Sequence, residues 1–452
     1  MDTSQLKIFA PSSNSGLDQR ASNPRSPLET PSDKVPLEQA PEFETDQIEA
    51  CKFRIHYQEP HFIFRGSLPA AEQDYLLSYL KKVSAYKKIG SFQGQPLFSL
   101  YQAPLSSPAG ERALSLRLKR RFEKQRIPAV ATIAVNKLCQ CECQHCSAVF
   151  YNHKAQADLD FEVLKRALLE AVELGVSHLL LLGGEPLLRK DLADLVASVP
   201  KHQSTVCLFS NGEYLSLAKC KALAEAGLMG VFVSLDSTDP ETHNRLRRRP
   251  RLFHKALQGI ENLQKSGIAV ALSSYLSPQN LKESHLEAMM DLGKKLEVQE
   301  VTFFDAIPSG RWLQEESCLL QDEDRKKILK LVRLYRKKAD YPGITAQSTL
   351  TSPEGSAFCF AANTQFYLSA QGDLSPCDFT PLTVGRYPDF SIADLWKKMI
   401  RTPPYHERAK SCRMQDLCFR KKYIHPLGQN SQLPVLFPYD GHHVLHSKNI
   451  LD

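Results

Sequence analysis

AVATIAVNKLCQCECQHC, residues 129–146, runs from an unbroken apolar stretch straight into a loop with four cysteines in eight positions. An apolar run of this length, rich in β-branched residues and closed by polar residues, reads as a buried strand. Five further runs follow it: SHLLLLGG (177–184), TVCLFSNG (205–212), GVFVSLDS (230–237), IAVALSSYLS (268–277) and VQEVTFFDAIP (298–308). Between and after them lie patterns of helical period at 160–175, 191–199, 216–227, 251–267, 281–296 and 322–339. Alternation of helices with strands that are apolar on both faces requires a parallel sheet. Six such units form either an open doubly wound sheet or an incomplete barrel, and in both the ligands gather at the carboxyl ends of the strands. The cysteine loop follows the first of these strands.

The bulk numbers exclude several alternatives. The 452 residues are 42% hydrophobic and 24% charged with a net charge of +7, ordinary for a globular enzyme and too weakly basic to argue for nucleic acid. No apolar run is long enough to span a bilayer, and the N-terminus lacks a basic segment followed by an apolar core, so the expected compartment is the cytoplasm. In a reducing compartment clustered cysteines bind metal more often than they form disulfides. Of the twelve cysteines, Cys51, Cys207, Cys220 and Cys318 stand alone and read as small buried hydrophobes.

The chain divides by composition. Residues 1–49, rich in Ser, Pro, Asp and Glu, read as a disordered leader. Residues 50–127 read as a small α+β accessory domain ending in a basic amphipathic helix whose Arg and Lys form a solvated face. Residues 128–345 hold the βα units. Residues 346–424 lose that rhythm and carry the remaining cysteines, which suits a small metal-organised domain, and 425–452 form a tail.

Cys139, Cys143 and Cys146 are spaced C-x3-C-x2-C. Structural zinc sites pair their ligands as C-x2-C and complete four elsewhere. Three thiolates in one short loop suit three corners of an iron–sulfur cubane and leave one iron open. With GGEPLL (183–188), SNG (210–212), SLDS (234–237) and the HNRLRRRPRLFHKALQGIENL segment (243–263) in order behind it, this motif resembles the radical S-adenosylmethionine (SAM) superfamily over about residues 128–345. The resemblance implies a partial (βα)6 TIM-like barrel, a 4Fe–4S cluster on the three cysteines, and SAM on the open iron. It also implies reductive cleavage of SAM to a 5′-deoxyadenosyl radical that takes a hydrogen atom from substrate, with an electron donor such as flavodoxin or ferredoxin. Gly183 and Gly184 would let backbone approach the methionine part of SAM, and Glu185 would accept from its ammonium group. Ser210, Asn211, Ser234, Asp236 and either Ser273 or Ser274 would line the mouth for its ribose and amino-acid head, and Arg247 would hold its carboxylate. The alternatives are strand-end serines that only cap helices, a zinc knuckle at the cysteines, and a nucleic-acid patch at RLRRRPR. Cys141 is extra to the motif, and His145 stands where the family carries an aromatic residue, placed to stack on adenine.

The second group, Cys359 and Cys377 in a C-x12-G-x4-C pattern followed by Cys412 and Cys418, resembles a reduced SPASM or twitch auxiliary domain. That resemblance implies a second 4Fe–4S cluster on these four, with zinc on the same ligands as the alternative. Asp378 is a candidate general base beside it, and a turn-capping Asp the plainer alternative; Asp305 adds a carboxyl facing the mouth. The implied substrate is a peptide or protein, with tetrapyrrole or other small-molecule cofactor chemistry as the second reading and an inactive metal-binding module as the third. No membrane span and no nucleic-acid partner are expected.

Overall fold

The computed structural model describes residues 52–151, 156–351, 358–427, 431 and 433–437. The leader read at 1–49, Cys51 and most of the tail read at 425–452 lie outside these.

Two hairpins and two helices open the described chain. Strands β1 (Phe53–Gln58) and β2 (His61–Gly66) pair antiparallel, α1 (Ala70–Ser84) follows, then the hairpin β3 (Gly90–Phe92) and β4 (Gln95–Leu97), then α2 (Pro108–Phe122). Phe53, Ile55, Leu76, Leu80, Val83, Leu114 and Leu118 form their core. Ser107 caps α2 by accepting from Gly110 N–H at 3.1 Å, with Pro108 in the first turn. The basic face of α2 is not simply solvated, as its sequence led one to expect. Arg112 donates to the carbonyls of Val172, Val176 and Gln203, and Arg117 stacks on Tyr79 at 4.1 Å while donating to Tyr75. Long guanidinium stems reach carbonyl groups left over at helix and strand ends, which periodicity alone does not reveal.

The barrel runs β5 (Val130–Ala134), α3 (Phe161–Leu174), β6 (His178–Leu182), α4 (Leu192–Ser198), β7 (Thr205–Ser210), α5 (Leu217–Glu225), β8 (Gly230–Ser234), α6 (Pro240–Arg247), α7 (Leu252–Lys265), β9 (Ala269–Leu276), α8 (Pro278–Lys282), α9 (His285–Lys295), β10 (Glu300–Asp305), α10 (Asp322–Lys337), β11 (Gly343–Ala346) and α11 (Ser348–Thr351). All of β5 to β11 lie parallel, in sequence order, and the barrel stays open. The sheet also runs on past residue 346. Strand β12 (Gln365–Leu368) pairs parallel with β5, and β13 (Leu374–Ser375) pairs antiparallel with β12. Strand β14 (Leu382–Thr383) pairs parallel with β15 (Val435–Leu436) near the end of the described chain, and helices α12 (Ile392–Arg401) and α13 (Leu417–Tyr423) lie between them in sequence. Buried Trp396 donates to Arg126 O at 2.8 Å, and Arg126 in turn donates to the carbonyls of Ala362, Ile400, Tyr405 and His406. These contacts weld the cysteine-bearing C-terminal segment to the start of β5. No helix among the described residues is long and apolar enough to cross a membrane.

The amino ends of the strands are closed by residues 97–101. Leu97 and Leu100 pack on Leu180, Cys207, Met229, Phe232 and Ala271. Buried Glu300 accepts from Leu100 N–H at 2.7 Å, from Ser99 and from Thr345, and Tyr101 shares a hydrogen bond with Thr302 at 3.0 Å. The lone Cys207, Cys220 and Cys318 are buried, as read.

His178, at the start of β6, is buried with Nδ1 on Thr205 Oγ1 at 2.8 Å, and burial pushes its pKa from 6.5 down to about 3. A depressed histidine leaves stability intact above pH 6.5 and erodes it as pH falls toward 3. The His178→Asn variant is therefore expected to lose about 2 kcal/mol less than the parent between pH 7 and pH 5, since each titrated unit is worth about 1.4 kcal/mol. Urea unfolding at the two pH values measures it; equal losses would exclude a neutral buried imidazole.

Candidate active site

Backbone fixes the cysteine loop before any thiol is considered. At its start, Gly184 N–H donates to Asn136 O at 2.9 Å, Glu185 N–H to Leu138 O at 2.7 Å, and Asn136 Nδ2 to Glu185 O at 2.8 Å. A Cβ on Gly183 would lie 2.4 Å from Asn136 O, and one on Gly184 would lie 2.2 Å from Leu138 O. The two glycines thus have a use within the chain, the close packing of residues 136–138 on the end of β6. At the middle of the loop, Glu142 N–H donates to Arg247 O and Gln144 N–H to Leu246 O. At its end, Arg311 N–H donates to Cys146 O at 3.2 Å and its guanidinium to Cys143 O at 2.6 Å. Gly310 has φ +55°, and a Cβ there would sit 1.8 Å from Cys146 O. The loop after β10 therefore clasps the cysteine loop at closest approach.

The thiols converge. Cys141, Cys143 and Cys146 share a buried cluster with Leu252, while Cys139 is exposed. The Cys141 thiol is hydrogen-bonded to both Cys139 and Cys143, which raises its own pKa and lowers theirs; this bond, with Arg247 nearby, brings Cys143 to about 5 despite burial. Among the described residues no three Cys, His, Asp or Glu stand in ready metal-binding geometry. Soft sulfur donors with thiolate character, set in one half-buried loop, nonetheless fit an iron–sulfur cluster chemically. Cys139, Cys143 and Cys146 would hold it, and bound there it supplies one-electron reduction of a sulfonium.

Carboxylates surround the loop, each already partnered. Asp239 caps α6 by accepting from Thr242 N–H at 2.8 Å, which starts the helix that carries His243 and Arg247 back over β8. Arg247 grips Asp236 with both nitrogens, at 2.6 and 3.1 Å; His145 Nε2 lies 3.4 Å from the same carboxylate, and Asp236 N–H donates to His243 Nδ1. Burial alone would raise Asp236, but Arg247 and His145 hold it well below the usual carboxylate range. Arg247 and Asp236, read from sequence as two separate ligand contacts, thus face each other. Glu185, fully buried, accepts from Ser210 Oγ and Asn211 N–H, both at 2.8 Å, and from Leu187 N–H; burial pushes it up to about 7. Ser210 and Asn211 are drawn onto Glu185, and Asn211 Nδ2 also donates to Cys141 Sγ at 3.7 Å.

Glu213 escaped the sequence reading. Its buried carboxylate takes Arg249 through both nitrogens at 2.8 and 2.9 Å, Lys255 at 2.5 Å and Gln140 Nε2 at 2.7 Å, and these hold it down to about 2 against burial. Three arginines of RLRRRPR are therefore engaged on carboxylates around the cysteine loop, Arg248 reaching Glu142 at 3.9 Å. The available signal was Glu213's place one residue beyond SNG. On β9, Ser274 shares a hydrogen bond with His285 of α9 at 2.8 Å, so the alternating pleat turns Ser273 to the opposite, interior face beside half-buried Ser234. His145 packs between Tyr275 and Trp312, with centroids 4.7 and 5.7 Å away, in an aromatic box that periodicity gave no hint of.

Of the second group, Cys359 and Cys412 lie close enough to act on the buried thiol of Cys377, and burial pushes all three upward. Cys418 does not join them. It is exposed on α13, where the Asp416 cap, accepting from Phe419 N–H at 2.7 Å, starts the helix. Asp378 is half-buried, near enough to Tyr101 and Tyr367 to influence both, and desolvation raises it to about 6. Asp305 is saturated: it accepts from Ser348 N–H at 3.1 Å, Ser348 Oγ at 2.5 Å and Gln415 Nε2 at 3.0 Å, which makes it a joint between β10 and the C-terminal segment.

Comparison with known proteins matches this architecture. The radical SAM superfamily profile matches residues 133–293. The AdoMet-dependent heme synthase of Methanosarcina barkeri is 25% identical over 287 residues, covering 57% of this chain and 79% of that one. A protein of the same name from Oleidesulfovibrio alaskensis is 23% identical over 327 residues, covering 64% and 82%. Streptococcus suis SuiB bound to S-adenosylmethionine superposes with a TM-score of 0.54 at 14% identity, covering 86% of this chain and 98% of that one; bound to its precursor peptide SuiA it gives 0.52. With its motif cysteines, glycines and strand ends gathered at one barrel mouth, the chain is an enzyme that carries a radical SAM domain over residues 133–293, of a family that uses a 4Fe–4S cluster and SAM.

Proposed function

We propose that this enzyme modifies a peptide or protein, abstracting a hydrogen atom at the barrel mouth and oxidising the resulting radical with the help of the C-terminal cysteine segment. The observation that carries this reading is the reach of the likeness. The fold shared with SuiB, a protein seen with a bound precursor peptide, extends over 86% of this chain. The α+β unit of residues 52–127 supplies a surface for presenting a polypeptide: among the described residues, β2 pairs only with β1. A tetrapyrrole substrate is the second reading, favoured by the names of the two heme synthases.

Within the proposal, Cys139, Cys143 and Cys146 hold the SAM-binding cluster, and an electron donor of the flavodoxin or ferredoxin kind reduces it. Gly183, Gly184, Glu185, Ser210, Asn211, Ser234, Asp236, Arg247 and Ser273 shape the SAM site. Because Arg247 and Asp236 already form a bidentate pair, their part is to hold α6 over the cysteine loop, with the pair's edge presented to ligand. Cys359, Cys377 and Cys412 hold a second cluster, with Cys418 brought in as fourth ligand by movement of α13 or left out of the set. Asp378, next to Cys377 in the chain, takes the proton as the substrate radical is oxidised.

The experiment is anaerobic turnover with dithionite, SAM and two probes: synthetic peptides encoded by short reading frames beside the gene, and iron-coproporphyrin III. A peptide that loses hydrogen in step with 5′-deoxyadenosine release supports the proposal; porphyrin turnover with inert peptides overturns it. Asp378→Asn is expected to leave 5′-deoxyadenosine release within about threefold of the parent while lowering product roughly 10²-fold, the usual span for a lost general base. Equal losses in both would remove Asp378 from proton transfer.

A further inference from the structure

Cys141 has no place in the C-x3-C-x2-C spacing, yet it is the better-placed thiol. It is buried where Cys139 is exposed, and it packs with Cys143 and Cys146 against Leu252. The surroundings hold it there. Cys141 N–H donates to Cys139 Sγ at 3.4 Å, and Asn211 Nδ2 donates to Cys141 Sγ at 3.7 Å. Asn211 is itself fixed by Glu185 on its backbone N–H and by Gln140 on its side-chain oxygen at 3.1 Å. An amide N–H aimed at sulfur favours sulfur as an acceptor, which a thiolate is and a buried apolar filler is not. A small hydrophobe would need none of this.

We propose that Cys141 is a displaceable fourth thiolate, closing the open iron of the cluster on Cys139, Cys143 and Cys146 until SAM takes its place. This rests on the radical SAM reading of the loop. The exchange balances without a redox step. The Cys141 sulfur–iron bond breaks as the amino nitrogen and carboxylate oxygen of SAM bond to the iron. The proton that the SAM ammonium must lose passes to the departing thiolate, which becomes a thiol beside Asn211 Nδ2. Cys141 thus protects the iron corner that lacks a protein ligand, the corner most easily lost on oxidation, and sets a threshold that SAM must exceed to bind.

The test compares the full-length parent with Cys141→Ala, both reconstituted anaerobically with iron and sulfide, and does not depend on turnover. Each is titrated with ferricyanide without SAM, and conversion of the 4Fe–4S to the 3Fe–4S form is followed by electron paramagnetic resonance and by released ferrous iron. The variant is expected to lose that iron about tenfold faster, on the scale by which shell residues alter metal retention. Added SAM should bring the two together, and the variant should bind SAM more tightly by equilibrium dialysis. Equal iron loss without SAM would overturn the proposal. Should the alanine variant not fold, Cys141→Ser, close in volume, is measured in the same way. A parent that takes up no 4Fe–4S cluster at all would instead defeat the reading on which the proposal rests.

Discussion

Replacing Cys139, Cys143 and Cys146 together by alanine is expected to take 5′-deoxyadenosine release from SAM below detection. The three supply every motif thiolate in the loop, and Cys141 alone offers one thiolate where a cluster needs three. Glu185, Asp236 and Glu213 are already engaged, by hydroxyl and amide donors, by Arg247 and by Arg249 with Lys255. Without the cluster no electron reaches the sulfonium, and the uncatalysed cleavage is negligible. If Cys359, Cys377 and Cys412 hold the proposed second cluster, iron should fall but not vanish. The fold should persist, since the loop is held by backbone bonds to Asn136, Leu138, Leu246 and Arg247 that do not involve sulfur. Iron and sulfide analysis, circular dichroism and product chromatography on one preparation check all three statements. Parental release from the triple variant, or zinc in place of iron in the oxygen-free parent, would defeat the assignment.

The second large effect is remote from the thiols. Arg420 of α13 is wholly buried, and its guanidinium donates to Glu316 at 2.7 Å, Leu313 O at 2.7 Å and Pro308 O at 3.2 Å. His425 approaches the same Glu316 oxygen at 2.7 Å. Arg420→Met removes the only one of these groups that reaches both carbonyls, stranding two acceptors and leaving Glu316 to His425. Two buried acceptors left without a donor cost about 2–4 kcal/mol. The free-energy change should appear in urea unfolding as a lower midpoint at unchanged slope. It should also be felt at the cysteine loop, because the segment that Arg420 staples carries Gly310 and Arg311, which clasp Cys143 and Cys146. Faster iron loss on dialysis of the reconstituted variant is the expected companion. A cost below about 1 kcal/mol would show that water replaces the guanidinium at those carbonyls.

What sequence conveyed, and what it did not, divides along the length scale of the interactions. The parallel β5–β10 run was legible because each strand is a continuous apolar segment and each connection carries a helical period. The cysteine loop was legible because its spacing is local. Contacts between distant segments were not. The pairing of β12 with β5 joins Gln365 to Val130, and four residues of moderate apolarity carry no sign of their partner. RLRRRPR read as a charged run; only the fold shows Arg247 on Asp236 and Arg249 on Glu213. The glycines of GGE were read toward a ligand, whereas the structure finds the chain's own Asn136 and Leu138 carbonyls where their side chains would be. Cys418 completes a set of four on paper but faces outward on a helix, since spacing along the chain says nothing of the direction in which a helical side chain points.

The plug of Leu97 and Leu100 turns the barrel into a cul-de-sac. With its floor sealed by apolar packing and by the Glu300 and Tyr101 hydrogen bonds, the barrel is shut at the amino ends of its strands, which leaves the carboxyl ends as the doorway toward the cysteine loop. Traffic through that doorway, and not only the chemistry behind it, then governs how quickly one cycle can follow another.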